Sequence, residues 1–502
     1  MKPNDAACLT CRQKSRKCDR ARPMCKRCIT KGLQCGGYPD KFRFCGIASR
    51  GKWKNRDAPI DQVSSAQSQA SKSDSSTPSR TLPSSQSLTP NDRPEIEQVL
   101  GSADAATLLS HCESLFLSPD ILANVETDDR IICPHQIAQP VDSGENPYRR
   151  YVLPLAYEQT GLLYAVLALS ACHLGHLKSE KHLYEAVAVD YRLKAITELS
   201  VAIRKVCSGD FNDDDRDGLF ATIQILLLHD ICESGISCHG AHISGAMSIS
   251  SQLMLDQHLS ISDERTVFFL GNLAWLDIIR AFSAPGRLCF SQKLREKLLS
   301  LCNLRFESVN GCPRELVLLI GEVLERAKAR STGTLETGEY SDSLQSLITK
   351  FYTWDSSRCF YPDDNPLWLC VTEAYRHTCI LRTRRLLDEN ISASEPCIQE
   401  SVTAILDSIA GIPGSSPLIE LLVLPLFMAG ADCLSPHSRH YVLLRLGEIK
   451  ARSEMGISAP QTLLEKVWHA RAQKPAHDRS NVPWVLFTHS SESTHQDDYL
   501  II

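Results

Sequence analysis

Apolar residues settle into a helical rhythm from about Pro94 to the C-terminus and almost nowhere before it. Leu183, Val187, Leu193, Ile196, Leu199, Ile203 and Val206 recur mostly at steps of three or four, the period that lines one face of an α-helix. The same rhythm predicts helices over residues 105–117, 161–177, 218–232, 263–282, 313–329, 366–387, 418–433, 437–451 and 460–472. Ser394 with Pro396, and Pro460, supply local start signals, because proline tolerates the first helical turn. Alternating strand patterns are scarce and no fixed repeat period appears, so residues 94–502 read as one large all-α domain. With 502 residues and 43% apolar content, the chain is long enough to bury a sizeable core.

The polar stretches before it differ from one another. Positions 61–90 contain 11 serines, together with Gln62, Gln67, Gln69, Gln86, Pro78, Pro83 and Pro90. Such a segment buries too little apolar surface to offset chain entropy, so residues 38–93 are predicted to be a disordered linker, basic at first and then rich in Ser, Gln and Pro. Charge divides the chain more sharply than composition does. Residues 1–56 hold 16 Lys and Arg against three acids, a net of +13, whereas the whole chain is at −5 and the remainder therefore at −18. A small basic head on an acidic body points to a polyanionic partner for the head.

The 21 cysteines also divide. Met1–Ala7 lacks the apolar run of a signal peptide, and Cys112, Cys172, Cys302 and Cys379 stand singly in apolar patterns, as buried free thiols do in a reducing compartment. The longest uncharged apolar runs, 161–172 and 421–431, fall short of the roughly 18 residues of a membrane span, so the chain reads as intracellular, with no membrane partner.

The first 37 residues form a separate unit. Cys8 and Cys11 are followed by Cys18, and Cys25 and Cys28 by Cys35: a Cys-x2-Cys pair and a third cysteine seven residues on, twice over. Each pair places two thiolates on one tight turn, suited to tetrahedral zinc. Two tetrahedral ions need eight ligand positions and only six sulfurs are present, so two sulfurs bridge; the pseudo-symmetric candidates are Cys8 and Cys25. Six thiolates around two Zn2+ leave a charge of about −2, which the neighbouring basic residues help offset. A ribbon using Cys8, Cys11, Cys25 and Cys28 strands Cys18 and Cys35, and a RING or LIM arrangement lacks its histidines, since none precedes His111.

The run Cys8-Leu-Thr-Cys-Arg-Gln-Lys-Ser-Arg-Lys-Cys-Asp19, with Arg22-Pro-Met-Cys-Lys-Arg-Cys28 and Gly32-Leu-Gln-Cys35, resembles the fungal zinc binuclear-cluster (six-cysteine) transcription factors. All six cysteines match, as does Pro23. Asn146-Pro-Tyr-Arg-Arg-Tyr-Val-Leu-Pro-Leu-Ala156 with Leu167-Ala-Leu-Ser-Ala171 resembles the start of the helical fungal-specific regulatory domain that accompanies such heads. The resemblance implies a zinc-cluster DNA-binding domain over 1–37, with two short helices around two Zn2+, and a fungal-specific regulatory domain over 94–502. It further implies that the first helix reads a CGG-type triplet in the major groove. Here that helix is 12–17, and it departs from the family at Ser15, where a basic residue is usual. Lys14 is therefore the expected base reader, with Lys17 and Arg12 nearby and Arg16 on phosphate, while Lys26, Arg27 and Lys31 contact phosphate from the second half.

The predicted function is sequence-specific regulation of RNA polymerase II transcription in the nucleus, without enzymatic activity. The alternative is a zinc- or redox-sensing regulator that does not bind DNA. Residues 50–56 read as a nuclear-import patch. Gly36, Gly37, Pro39, Gly46, Gly51 and Pro59, with no heptads, argue against the coiled coil through which many relatives pair. That leaves a monomer or a homodimer through the helical body, with transcription co-regulators as further partners.

Other motifs are weaker. Asp213-x-Asp215-x-Asp217-Gly218 begins like a calcium loop, but Gln224 stands where a bidentate Glu is needed, so the run reads as the acidic first turn of a helix. His173 with His176, and Cys238 with His239 and His242, read as packing and capping groups rather than metal ligands. No phosphate-binding glycine loop or nucleophile elbow appears. Residues 497–502 read as a frayed tail.

Overall fold

The computed structural model describes residues 10–11, 14, 16–19, 25–31, 33 and 35 near the N-terminus. It then describes 93–115, 146–177, 181–209, 211–237, 240–252, 263–302, 305–359, 361–453, 455–456, 458–475, 477–488 and 498–501. The predicted linker up to residue 92, the import patch, the segment read as free of heptads, Cys238 and His239 lie outside the described residues. Internal contacts divide the chain into one unit over residues 1–87 and another over 88–502.

The first unit contains a short helix, α1 (Lys26–Thr30). The second opens with α2 (Arg93–Leu100) and α3 (Ala103–Leu115), then a π-helical turn, Tyr148–Val152, running into α4 (Leu153–Ala156). There follow α5 (Thr160–Leu177), α6 (Lys181–Ser208), α7 (Asp213–Glu233), α8 (Gly240–Gln252), α9 (Glu264–Ser283), α10 (Gln292–Leu301) and α11 (Arg305–Asn310). The last group is α12 (Arg314–Ser331), α13 (Thr337–Thr353), α14 (Leu367–Leu387), α15 (Pro396–Ala410), α16 (Val423–Asp432), α17 (Pro436–Ser453) and α18 (Ala459–Ala472). Two short strands, β1 (Ile236–Ser237) and β2 (Asp498–Tyr499), pair antiparallel. The body is all-α but for that pair among the described residues.

Among the described residues two large apolar cores and a small third cluster of Ala327, Leu335, Tyr340 and Leu344 fill the body, and α9 belongs to both large ones. Val267, Phe269, Leu270 and Leu273 enter the first core, and Trp275, Ile278, Ile279 and Phe282 the second. A helix apolar on every side has to be buried on every side. α5, which carries no Asp, Glu, Lys or Arg, and α9 are each long and apolar enough to cross a bilayer, so the apolar run in α5 is longer than the sequence reading gave it; both are enclosed in the body as core helices.

α6 packs on most of the predicted stripe, since Leu199 and Val206 enter the first core and Val187, Ile196 and Ile203 pack against it, but two of its positions face outward and two alanines outside it are buried. Leu183 and Leu193 are each 60% exposed, while Ala188, Ala195, Leu199 and Val206 are buried. Alanines at the seam let the helix approach α5 closely, and that geometry overrides the larger side chains. The acidic run at 213–218 is the start of α7: Asn212 accepts the Asp215 N–H at 2.8 Å and Asp215 accepts the Asn212 N–H at 3.1 Å. Gln224 is fully buried and donates to the Tyr148 hydroxyl at 3.0 Å. The single helix predicted over 418–433 is two elements, a 3-10 turn at Pro417–Leu422 and then α16.

The C-terminus is not frayed. The Leu500 N–H donates to the Gly235 carbonyl at 2.9 Å, and Gly235 takes a φ of 76° that favours glycine. Strand alternation sends Leu500 into the first core and Tyr499 and Ile501 into the second. Cysteine burial in the body is mostly passive: burial pushes the Cys302 and Cys433 thiols up to about 12 and raises Cys379 further. The Cys112 side chain lies outside the described residues.

Candidate metal and nucleic-acid site

The second half of the N-terminal unit is organised by Cys25 and Asp19. Cys25 is the N-cap of α1, its sulfur accepting the Cys28 N–H at 3.3 Å. The Asp19 carboxylate accepts the N–H groups of Lys26 at 3.1 Å and Arg27 at 3.3 Å, so the first turn of α1 receives a negative charge where its unpaired donors point. Beyond the helix, the Leu33 N–H closes on the Cys28 carbonyl at 2.9 Å and brings the chain round towards Cys35. In the first half, Thr10–Cys11 is helical, and the Arg16 N–H donates to the Cys11 carbonyl at 2.9 Å.

These turns bring the sulfurs together. Cys11 Sγ lies 3.7 Å from Cys25 Sγ and 3.9 Å from Cys28 Sγ. All three cysteines are wholly buried, with Cys18, Leu33 and Cys35 packed against them. Bonds of about 2.3 Å to a tetrahedral ion separate sulfurs by roughly 3.8 Å, so the donor set fits zinc in both type and spacing. Cys25 belongs to two groupings whose donor atoms lie within 4.8 Å of one another: one with Cys11 and Cys28, the other with Cys18 and Asp19. Cys25 thus lies within reach of possible ligands from both halves of the head. Cys8, the other bridging candidate, and Arg12 lie outside the described residues.

Of the basic residues predicted to meet DNA, Lys14, Arg16, Lys17, Lys26 and Lys31 are exposed. Arg27 differs: it is half-buried and its Nη1 stands 3.5 Å from Cys11 Sγ, a cation placed against the sulfur cluster. Its position after Cys25, on the inner side of a single helical turn, is the signal that composition alone could not give.

Residues 6–44 match the fungal Zn(2)-Cys(6) binuclear cluster domain, and residues 130–495 match the fungal specific transcription factor domain. The chain belongs to the fungal zinc-cluster transcription factors. It is 21% identical over 553 aligned positions to Pestheic acid cluster transcriptional regulator 3 of Pestalotiopsis fici, covering 92% of this chain and 94% of that relative. No solved structure matches it.

Family membership places two Zn2+ and DNA binding in the zinc-cluster head, and the family is one of transcription regulators, not enzymes. The alternative of a sensor that does not bind DNA has no support in it. Zinc, when bound, supplies the tetrahedral cross-link that a head with so small an apolar core lacks. The chain's own part is to aim the sulfurs, through the Cys25 and Asp19 caps on α1, and to set Arg27 against their charge.

Proposed function

We propose that this zinc-cluster regulator acts in the nucleus on RNA polymerase II promoters, recognising CGG-type triplets with Lys14 as the main base reader. Its zinc ligands are Cys8, Cys11, Cys18, Cys25, Cys28 and Cys35, with Cys8 and Cys25 bridging; the head spans 1–37, the linker 38–93 and the regulatory body 94–502. The observation that carries this reading is the pairing of a sulfur shared by two cysteine groupings with exposed cations on the turn leaving Cys11. Lys14, flanked by Lys17 and Arg12 in the sequence, can donate to guanine O6 and N7, while Arg16, Lys26, Arg27 and Lys31 hold phosphates.

The test is equilibrium binding of the full chain to duplexes with and without CGG triplets. Lys14→Ala should reduce the preference for CGG by roughly 5- to 150-fold, the worth of one specific base contact of about 1–3 kcal/mol, and leave bound zinc unchanged. Lys26→Ala should weaken all duplexes alike and flatten the log–log salt dependence by about 0.9. Equal affinity of the wild-type chain for CGG and scrambled duplexes overturns the reading.

A second copy of the chain is proposed to dock on the outer face of α6, and co-regulators elsewhere on the body. Leu183, Val189, Leu193 and Val201 share that face and are 60%, 50%, 60% and 45% exposed. Sedimentation should give a dimer that Leu193→Glu converts to monomer with helicity unchanged. A wild-type chain that sediments as a monomer at tens of micromolar contradicts this.

A further inference from the structure

A second group of metal-binding side chains lies in the helical body, far along the chain from the zinc cluster. Cys172 and His176 are one turn apart on α5 and share a face. Opposite them, near the end of α7, stands Cys232, which is wholly buried. The donor atoms of the three lie within 4.8 Å of one another, and Cys172 Sγ is 4.0 Å from His176 Nε2. One turn before Cys232, His229 is 1% exposed, and neither of its ring nitrogens makes a hydrogen bond. A buried polar group left in that state costs on the order of 1–3 kcal/mol, and proteins rarely tolerate it without a partner.

The surroundings favour this donor set over the nearby carboxylates. Arg192 holds Asp230 at 2.5 Å and Glu233 at 3.1 Å, so both acids already have a cation. Ser237 also donates to Asp230. Over the other side runs the segment at Met455 and Gly456. The Gly456 N–H donates to the Cys232 carbonyl at 2.9 Å, and a Cβ on Gly456 would stand 2.8 Å from His176 Cε1. The cluster is thus enclosed by two helices and a loop that approaches closely enough to require glycine.

We propose that Cys172, His176 and Cys232, with His229 as the fourth donor, bind a third zinc ion that pins the end of α5 to α7 beneath the Gly456 loop. Two thiolates and two neutral imidazoles around Zn2+ carry no net charge, so the site can sit in an apolar core without the penalty of a buried ion. Tetrahedral bonds of about 2.3 Å to sulfur and 2.0–2.1 Å to nitrogen place those atoms roughly 3.6 Å apart, against 4.0 Å between Cys172 Sγ and His176 Nε2, and His229, which lies in a grouping with Asp230 and Glu233, has to turn towards the sulfurs to complete the shell. The site is independent of DNA recognition by the head.

Native mass spectrometry of the reduced full-length chain, equilibrated with a slight excess of zinc and then desalted, tests it. Wild type should carry three zinc ions, Cys25→Ser one, and the double variant Cys172→Ser/Cys232→Ser two. The double variant should also keep its affinity for CGG duplexes. The wild-type and Cys25→Ser counts read the body site without altering it, so misfolding of the double variant cannot hide the answer. Two zinc ions in wild type and none in Cys25→Ser overturn the proposal.

Discussion

Replacing Cys25 by serine should strip both zinc ions from the head and abolish binding to DNA. Three facts make this the most damaging single change. Cys25 is the sulfur common to both groupings and the one proposed to bridge the two ions, so its loss should break both coordination shells at once. It is wholly buried, and its neighbours in that small core are other cysteines and Leu33. Structural zinc in small domains contributes on the order of 10–16 kcal/mol of apparent binding energy, and the head has nothing of comparable size to replace it. Serine caps helices at least as well as cysteine, so the loss is of the metal ligand and not of capping capacity. Zinc analysis with a mobility shift checks the outcome, and the body's helical circular dichroism should be unchanged because residues 88–502 form their own unit. Retention of both head zinc ions by this variant contradicts the shared-sulfur assignment.

Deleting residues 498–502 should destabilise the body by 5 kcal/mol or more, although the segment is five residues at the chain end. Tyr499, Leu500 and Ile501 are 8%, 2% and 2% exposed and divide between the two cores. Removing one large buried aliphatic side chain typically costs about 2–5 kcal/mol, and the total stability of a domain is on the order of 5–15 kcal/mol. The deletion also removes the strand that pairs with β1 and the Leu500 hydrogen bond to Gly235. Thermal unfolding should show a fall of roughly 10 °C or aggregation on expression, and Leu500→Ala alone about half as much. A shift below about 2 °C contradicts the account of the C-terminus.

What could be read from the sequence follows from how local each signal is. The cysteine spacing of the head was legible because each ligand pair sits on one turn and the constraint spans few residues. Helices such as α5, α9, α12 and α14 were legible from their apolar period. α8 is small and weakly patterned, α10 and α13 carry many polar positions, and their burial depends on neighbours distant in sequence. On α6 the predicted stripe holds at Val187, Ile196, Leu199, Ile203 and Val206 and fails at Leu183 and Leu193, while Ala188 and Ala195, which carry little hydrophobic weight, are buried where the helix packs. The role of Asp498–Tyr499 depended on Ile236–Ser237, its partner more than 250 residues earlier, which no local pattern announces. The same holds for Cys172 and Cys232, each a solitary apolar-run cysteine until α5 and α7 bring them face to face. The approach of Arg27 to Cys11 likewise depends on how the two halves of the head fold together, which no local pattern announces.

The central claim, that a zinc-held basic head reads a short DNA triplet, is tested most directly by measuring the full chain's affinity for a CGG-containing duplex and a scrambled one before chelation, after it, and after zinc is restored. The account predicts binding to the CGG duplex at least about 1000-fold tighter than to the scrambled one. That difference should vanish with the metal and return with it. Equal affinity for the two duplexes, or a preference that survives removal of zinc, would contradict it.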